Sequence, residues 1–364
     1  MDSERNDQPE SSWTDVPQAR LDSGGGQTPP PIPPYPPYPQ PGYPRKFSVW
    51  RVFWGVLLGL SMLANVGLFL LLIGVLAMFA AGQGRVYEEM VVREGPRNRK
   101  IVVINAQGIL DSAQAEAVHR QLKDARKDST VKGIIVRVNS PGGTISASDR
   151  IYREIVDYRQ EKSLPAVAFM QGVAASGGYY ASVGCDEIIA EPTALTGSIG
   201  VIMAHFVFQD LLENKLGVQP IFLTKGEKKD WPSSFRAPTE EELAYIEARL
   251  LDPAYERFVN VVKEGREKVL SANEVEKLAD GSIFVADEAL KVKLIDQTGY
   301  LDDAIARVKA LAGIEAARVV EYRSPFSFMS FLSAQKADTS LLRFDRTKLF
   351  ELSTPQVLYL WSAY

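Results

Sequence analysis

Residues 52–84 carry no charge, and the run VFWGVLLGLSMLANVGLFLLLIGVLAMFAA would be apolar on every face of a helix. About 20 residues cross a bilayer, so the pattern predicts a single transmembrane anchor over residues 47–84, long enough to span with tilt. Trp50 and Trp54 fall where an interfacial aromatic belt belongs. A cleaved signal peptide would start nearer the N-terminus and have a shorter apolar core. Asn65 and the Gly55/Gly59 pair offer contacts to another helix within the span. Arg45, Lys46 and Arg51 precede the run, and Arg85, Arg93, Arg97, Arg99 and Lys100 follow it among Glu88, Glu89 and Glu94. Charge alone therefore does not set the orientation.

Beyond a linker at 85–98, the pattern changes to short apolar runs alternating with helical periodicity. KIVVINAQG, VKGIIVRVN, PAVAFMQG, DEIIAEP and SIGVIM read as strands, with VQPIFLT as a further one. Between them, AQAEAVHRQLKDARKD and ISASDRIYREIVDYRQ read as helices, SGGYYASVG opens another, and residues 209–216 form one more. TEEELAYIEARLLDPAYERFVNVVKEGREKV reads as one long helix, followed by shorter ones in ADEALKVKLID and YLDDAIARVKALAG. Alternation of this kind predicts an α/β domain with buried parallel strands over residues 99–316. Residues 317–364 are aromatic and apolar without a long regular period, and are expected to pack against something.

Composition adds a third region. Of the 22 prolines, most fall in residues 1–46, where TPPPIPPYPPYPQPGYP has little to bury. That tail is expected to be disordered with polyproline II character, either as a solubilising segment or as a ligand for a proline-binding partner. The net charge of −4 argues against nucleic-acid binding. One cysteine, Cys185, excludes an intramolecular disulfide and a Cys-rich zinc site. His119, among charged helix residues, reads as a surface group, and His205 as half-buried. Two isolated histidines leave little room for a metal centre or a histidine base, and neither metal nor cofactor is expected.

Three glycine-marked segments follow strands, where ligands bind in open α/β folds. In the first, NSPGGT (139–144), a glycine N–H can face an oxyanion, or the segment is an ordinary turn before a helix. In the second, GVAASGGYY (172–180), Ser176 sits among small residues with a glycine amide behind it; it is either a nucleophile beside an oxyanion donor or a helix cap. The third, TGSIGV (196–201), holds Ser198 in a turn. A serine needs an activating base, and a desolvated lysine can serve. KGEKKD (225–230) offers three lysines, unless it is only a solvated loop.

Taken together with FVADEALKVKLIDQTGYLDDAI, these motifs in this order resemble the signal peptide peptidase A family over residues 99–312 and the preceding anchor. The resemblance implies a Clp-protease/crotonase-like fold of repeated β-β-α units preceded by a single transmembrane helix, and a membrane-anchored serine peptidase with a Ser–Lys dyad. It implies Ser176 as nucleophile and Lys229 as base, with the adjacent Lys228 left open by spacing alone. It implies that Ser198 orients the lysine amine and that the backbone N–H groups of Gly143 and Gly177 form the oxyanion hole.

The family's substrates are remnant signal peptides in the membrane, cut at small or apolar residues. Its members form bowl-shaped homo-oligomers whose sites, in shorter chains, are completed by a neighbouring subunit. By analogy the catalytic domain is extracytoplasmic and the N-terminus cytoplasmic. The final LYLWSAY is expected to dock on a neighbouring subunit or near its groove. The competing readings are a crotonase-like acyl-CoA enzyme and an inactive membrane scaffold.

Overall fold

The computed structural model describes residues 48–81, 87–323 and 356–361, with side chains of 77–81 and 356 outside the description. The proline-rich tail lies outside the described residues. The chain divides into two units, Met1–Gly74 and Val75–Tyr364.

In the first unit, helix α1 begins at Val49 and continues to Ala81. Its stretch Val49–Leu76 has a mean hydropathy of 2.5, is exposed throughout, and is long and apolar enough to cross a membrane. Trp50 stacks on Phe53 and meets Trp54 edge-on at the first turn. Asn65, expected to face a partner helix, donates its amide to the Ser61 carbonyl one turn back at 2.8 Å.

The second unit is built on a twisted sheet. In chain order its strands and helices are β1 (Glu88–Arg93), β2 (Lys100–Leu110), α2 (Ser112–Lys127), β3 (Val131–Thr144), α3 (Ile145–Lys162), β4 (Ala166–Ala175), α4 (Gly177–Ser182), β5 (Glu187–Ala190), β6 (Leu195–Gly197), β7 (Ile202–Ala204), α5 (Glu240–Ile246), α6 (Asp252–Arg266), α7 (Ala272–Leu278), β8 (Ile283–Val285), α8 (Ala286–Lys291), β9 (Gln297–Thr298), α9 (Leu301–Leu311), β10 (Arg318–Arg323) and β11 (Gln356–Leu360). The main ladder runs β1-β10-β2-β3-β4-β5-β9. It is parallel from β10 to β9, and β1 is added antiparallel at the edge.

Parallel strands covered on both faces need apolar residues at successive positions. Ile101, Val102, Val103 and Ile104 in β2 are all fully buried. Val102, Ile104, Ile134, Val136, Ala168 and Met170 pack under α2, α3 and α4, while Ile101, Val103, Ile135, Val167 and Phe169 face Ala304, Ile305 and Val308 of α9. Asp111 and Thr144 cap α2 and α3.

Several expectations are corrected. The sheet extends beyond both edges drawn at 99 and 316: β1 lies in the expected linker, and β10 lies between β1 and β2. Their signal is a pairing across more than 200 residues, which local periodicity does not carry. VQPIFLT forms no strand; Ile221 and Leu223 stand exposed without a ladder partner. SIGVIM is broken, because Ser198 has φ 50 and only Ile202–Ala204 is extended. The helix at 209–216 is a π turn, Leu211–Lys215. The long helix is α5 and α6 joined by a π turn at Glu247–Leu251. His119 is no free surface group: its Nδ1 lies 2.6 Å from Glu154 Oε1.

Candidate active site

Two long strands each change partner near their C-terminal ends, and the gap between the branches is the site. β3 pairs with β4 from Ile134 to Val138, but its end, Gly142 to Thr144, pairs with β11. β4 pairs with β5 through Met170, and its end, Val173 to Ala175, pairs with β6. NSPGGT is thus strand rather than turn, with Gly142 and Gly143 forming a glycine rim.

The rim tolerates no side chain. A Cβ on Gly143 would lie 2.1 Å from the Leu110 carbonyl oxygen of β2. Gly142 has φ +107, a region closed to most L residues. Its N–H is held at 3.0 Å by Ser140 Oγ, a brace that spacing did not single out. Gly143→Ala should cost about 3 kcal/mol or more, because backbone must move. Thermal or chemical unfolding of the variant beside wild type checks this.

Ser176 follows β4 directly and starts α4. It is 1% exposed and has φ 52, ψ −115, a strained conformation for a residue with a side chain. Its N–H donates to the Gly197 carbonyl at 2.8 Å, and its carbonyl accepts from the Tyr180 N–H. No capping hydrogen bond uses its hydroxyl. The helix-cap alternative for Ser176 therefore has no support in the geometry. Ser148 Oγ lies 2.3 Å from the place a Cβ on Gly177 would take, so only glycine fits behind the serine.

Ser198 is brought to Ser176 by register. Ala175 pairs with Gly197 across β4 and β6, so the two serines leave neighbouring strands at the same level. Ser198 is 8% exposed with φ 50, and its N–H is anchored on the Ser282 carbonyl at 2.7 Å. A cleft of about 590 Å³ opens beside it, lined by Ser198, Val201, Ile202, Tyr255, Leu360 and Trp361 among others.

The two lysines differ. The Lys228 ammonium sits 4.0 Å over the Trp231 ring and 4.7 Å over Tyr245, with Glu241 at 3.5 Å. Lys229 is exposed and enters no ion pair or side-chain hydrogen bond among the described residues. Their loop is clamped by Arg236, which binds Asp230 at 3.2 Å and the buried Glu242. Arg236 holds the Glu242 carboxyl down at about 2. Within one chain, Ser176, Ser198, Gly143 and Gly177 are thus gathered, and Lys229 is not joined to them by any hydrogen bond.

Cys185 is buried and its thiol is pushed up by desolvation, which leaves it unreactive. Among the described residues no group of three His, Cys, Asp or Glu is placed to hold a metal ion.

Several known proteins similar to this chain are named as proteases. The model of peptidase family S49 matches residues 158–315, and the Clp protease model matches residues 90–194. A protein of Enterococcus faecium, provisionally named signal peptide peptidase SppA, is 37% identical over 254 residues, 67% of this chain and 72% of its own length. Protease 4 of Haemophilus influenzae is 32% identical over 219 residues, 58% of this chain but 35% of its own length. A chloroplastic serine protease SPPA of Arabidopsis thaliana is 34% identical over 200 residues, 55% of this chain and 29% of its own length. The fold, the glycine-rimmed serine and these relatives agree: the chain belongs to peptidase family S49, the signal peptide peptidase A family.

Proposed function

We propose that this chain is a membrane-anchored serine endopeptidase in which Ser176 is the nucleophile and Lys229 the base. The observation that carries the reading is Ser176 itself: a buried serine with strained backbone, its hydroxyl unused as a cap, set between a glycine rim and Ser198. Strain of this kind is retained where surrounding structure imposes it, most often at reacting groups. Neutral Lys229 takes the Ser176 proton as Oγ attacks a peptide carbonyl. The N–H groups of Gly143 and Gly177 receive the oxyanion. The lysine then protonates the leaving amine, and water cleaves the acyl-enzyme. Ser198 Oγ orients the amine.

A lysine acts as a base only when unprotonated, which requires desolvation. The exposed position of Lys229 fits a site finished by a second copy of the chain, as in the family's shorter members. We therefore take the working form to be a homo-oligomer. Its substrates are apolar peptides such as signal-peptide remnants, met on the extracytoplasmic side of the membrane.

The test is covalent labelling with a serine-directed fluorophosphonate, followed by peptide mapping. The label is expected on Ser176 alone. An unlabelled protein that still assembles would favour the scaffold reading. Hydrolysis of acyl-CoA without peptide cleavage would favour the crotonase reading.

A further inference from the structure

The turn that carries Lys229 is tied to one short helix on both sides of the lysine. Residues 226–229 close on themselves: the Lys229 N–H donates to the Gly226 carbonyl at 3.1 Å, and Gly226 has φ +107. Before the lysine, Lys228 reaches Glu241 at 3.5 Å and lies over the Tyr245 ring, both in α5. After it, Asp230 accepts from Arg236 Nη2 at 3.2 Å, and the same guanidinium grips Glu242 of α5 at 2.7 and 2.5 Å. The next residue, Trp231, meets Tyr245 edge-on at 5.7 Å. Between these ties Lys229 is exposed and enters no ion pair or side-chain hydrogen bond among the described residues.

The two ties are unequal. The Lys228–Glu241 pair is exposed, and such pairs contribute about 1 kcal/mol or less. Arg236 holds Glu242 through two parallel bonds, the geometry in which guanidinium and carboxylate bind most strongly. Glu242 is 1% exposed. Its carboxylate also accepts from the Thr239 N–H at 2.7 Å, and its own N–H donates to Thr239 Oγ at 3.2 Å. A carboxylate buried this far needs such partners. Glu242 is therefore a fixed post, and the bond that Arg236 makes beyond it goes to Asp230, the residue next to Lys229.

We propose that Arg236 is the positioning residue of the lysine base: braced on Glu242, it holds Asp230 and so fixes the backbone from which Lys229 projects. This rests on the assignment of Lys229 as base. A general base acts through its placement, and an error of about 1 Å can cost about a hundredfold in rate. The lysine stem is flexible, so its backbone is the part that the fold can fix. The clamp bonds the neighbours of Lys229 and leaves its amine free for Ser176 and Ser198.

The test is the rate at which a fluorophosphonate labels Ser176 in the full-length enzyme in detergent, read with the labelled fraction at completion. Asp230→Ala and Arg236→Ala are each expected to slow labelling by about tenfold or more, with the labelled fraction unchanged. Asp230→Ala leaves the Arg236–Glu242 pair and the α5 cap in place, so it tests placement even where Arg236→Ala loosens the fold. Arg236→Lys, which can still meet one carboxylate, should recover part of the rate. In a Lys229→Ala background Asp230→Ala should slow labelling no further, because nothing is left to position. Wild-type labelling in Asp230→Ala overturns the proposal. So does a slowing of equal size with and without Lys229, or a fall in its labelled fraction in place of its rate, since the clamp is then only structural. Labelling of Lys229→Ala itself at the wild-type rate would instead remove the base assignment, which separates the two failures.

Discussion

Ser176→Ala is expected to abolish peptide hydrolysis while the protein stays folded. Loss of a covalent nucleophile commonly costs a factor of at least about 10³, because the oxyanion donors alone retain little rate. The substitution removes one oxygen from a hydroxyl that caps nothing, and alanine already flanks it in the sequence AAS. Any stability change is therefore small beside the loss of rate. Hydrolysis of a fluorogenic apolar peptide, read beside size-exclusion elution, checks both halves. Wild-type turnover in the variant would refute the nucleophile, whereas loss of the oligomer would leave the rate uninterpretable until the fold is restored.

Lys229→Ala is expected to be inactive and Lys228→Ala to retain most activity. The two side chains are neighbours in sequence, but Lys228 is committed to Trp231, Tyr245 and Glu241, while Lys229 is free of partners among the described residues. Removing Lys228 costs loop contacts worth about 1 kcal/mol or less each at an exposed site. Removing a general base costs about 10²–10⁴ in rate. Wild-type activity is expected to rise with pH if a lysine is the base, because a lysine base works only in its neutral form. A rate profile from pH 6 to 10 for both variants checks this; a dead Lys228→Ala beside an active Lys229→Ala moves the base by one residue.

Much of this site is legible in the amino-acid sequence. β2, β3 and β4 are continuous apolar runs, and their helices carry clear periodicity. Ser176 was marked by the small residues around it. The features that arm it were not legible. Nothing local announces that Ser176 and Ser198 both have positive φ, since that depends on the β4–β6 pairing and on Ser282 anchoring Ser198. Gly142 and Gly143 read as a turn because a strand with two adjacent glycines is rare, yet the close approach of Leu110 and Tyr359 demands them. Tyr180 carries no mark of its own in the motif, and its stacking against Tyr359 shows only in the fold. β11 had no readable period because it is a single strand fitted to a groove. The placement of Lys229 is the least legible, because its loop joins no strand and no register ties it to Ser176.

The position of β10 has a consequence for how the protein is made. β2 lies near the N-terminal end of the second unit, yet its outer edge is closed only by β10, and β1 has β10 as its ladder partner. Glu88 pairs with Arg323, so the sheet cannot be finished until nearly the whole domain has been synthesised. Until then β2 offers an unpaired, strongly apolar edge to any extended segment nearby. A nascent chain that lacks β10 leaves that apolar edge open to aggregation. Emergence of Arg318–Arg323 from the ribosome should be the step at which a ribosome-bound series of increasing length abruptly becomes protease-resistant.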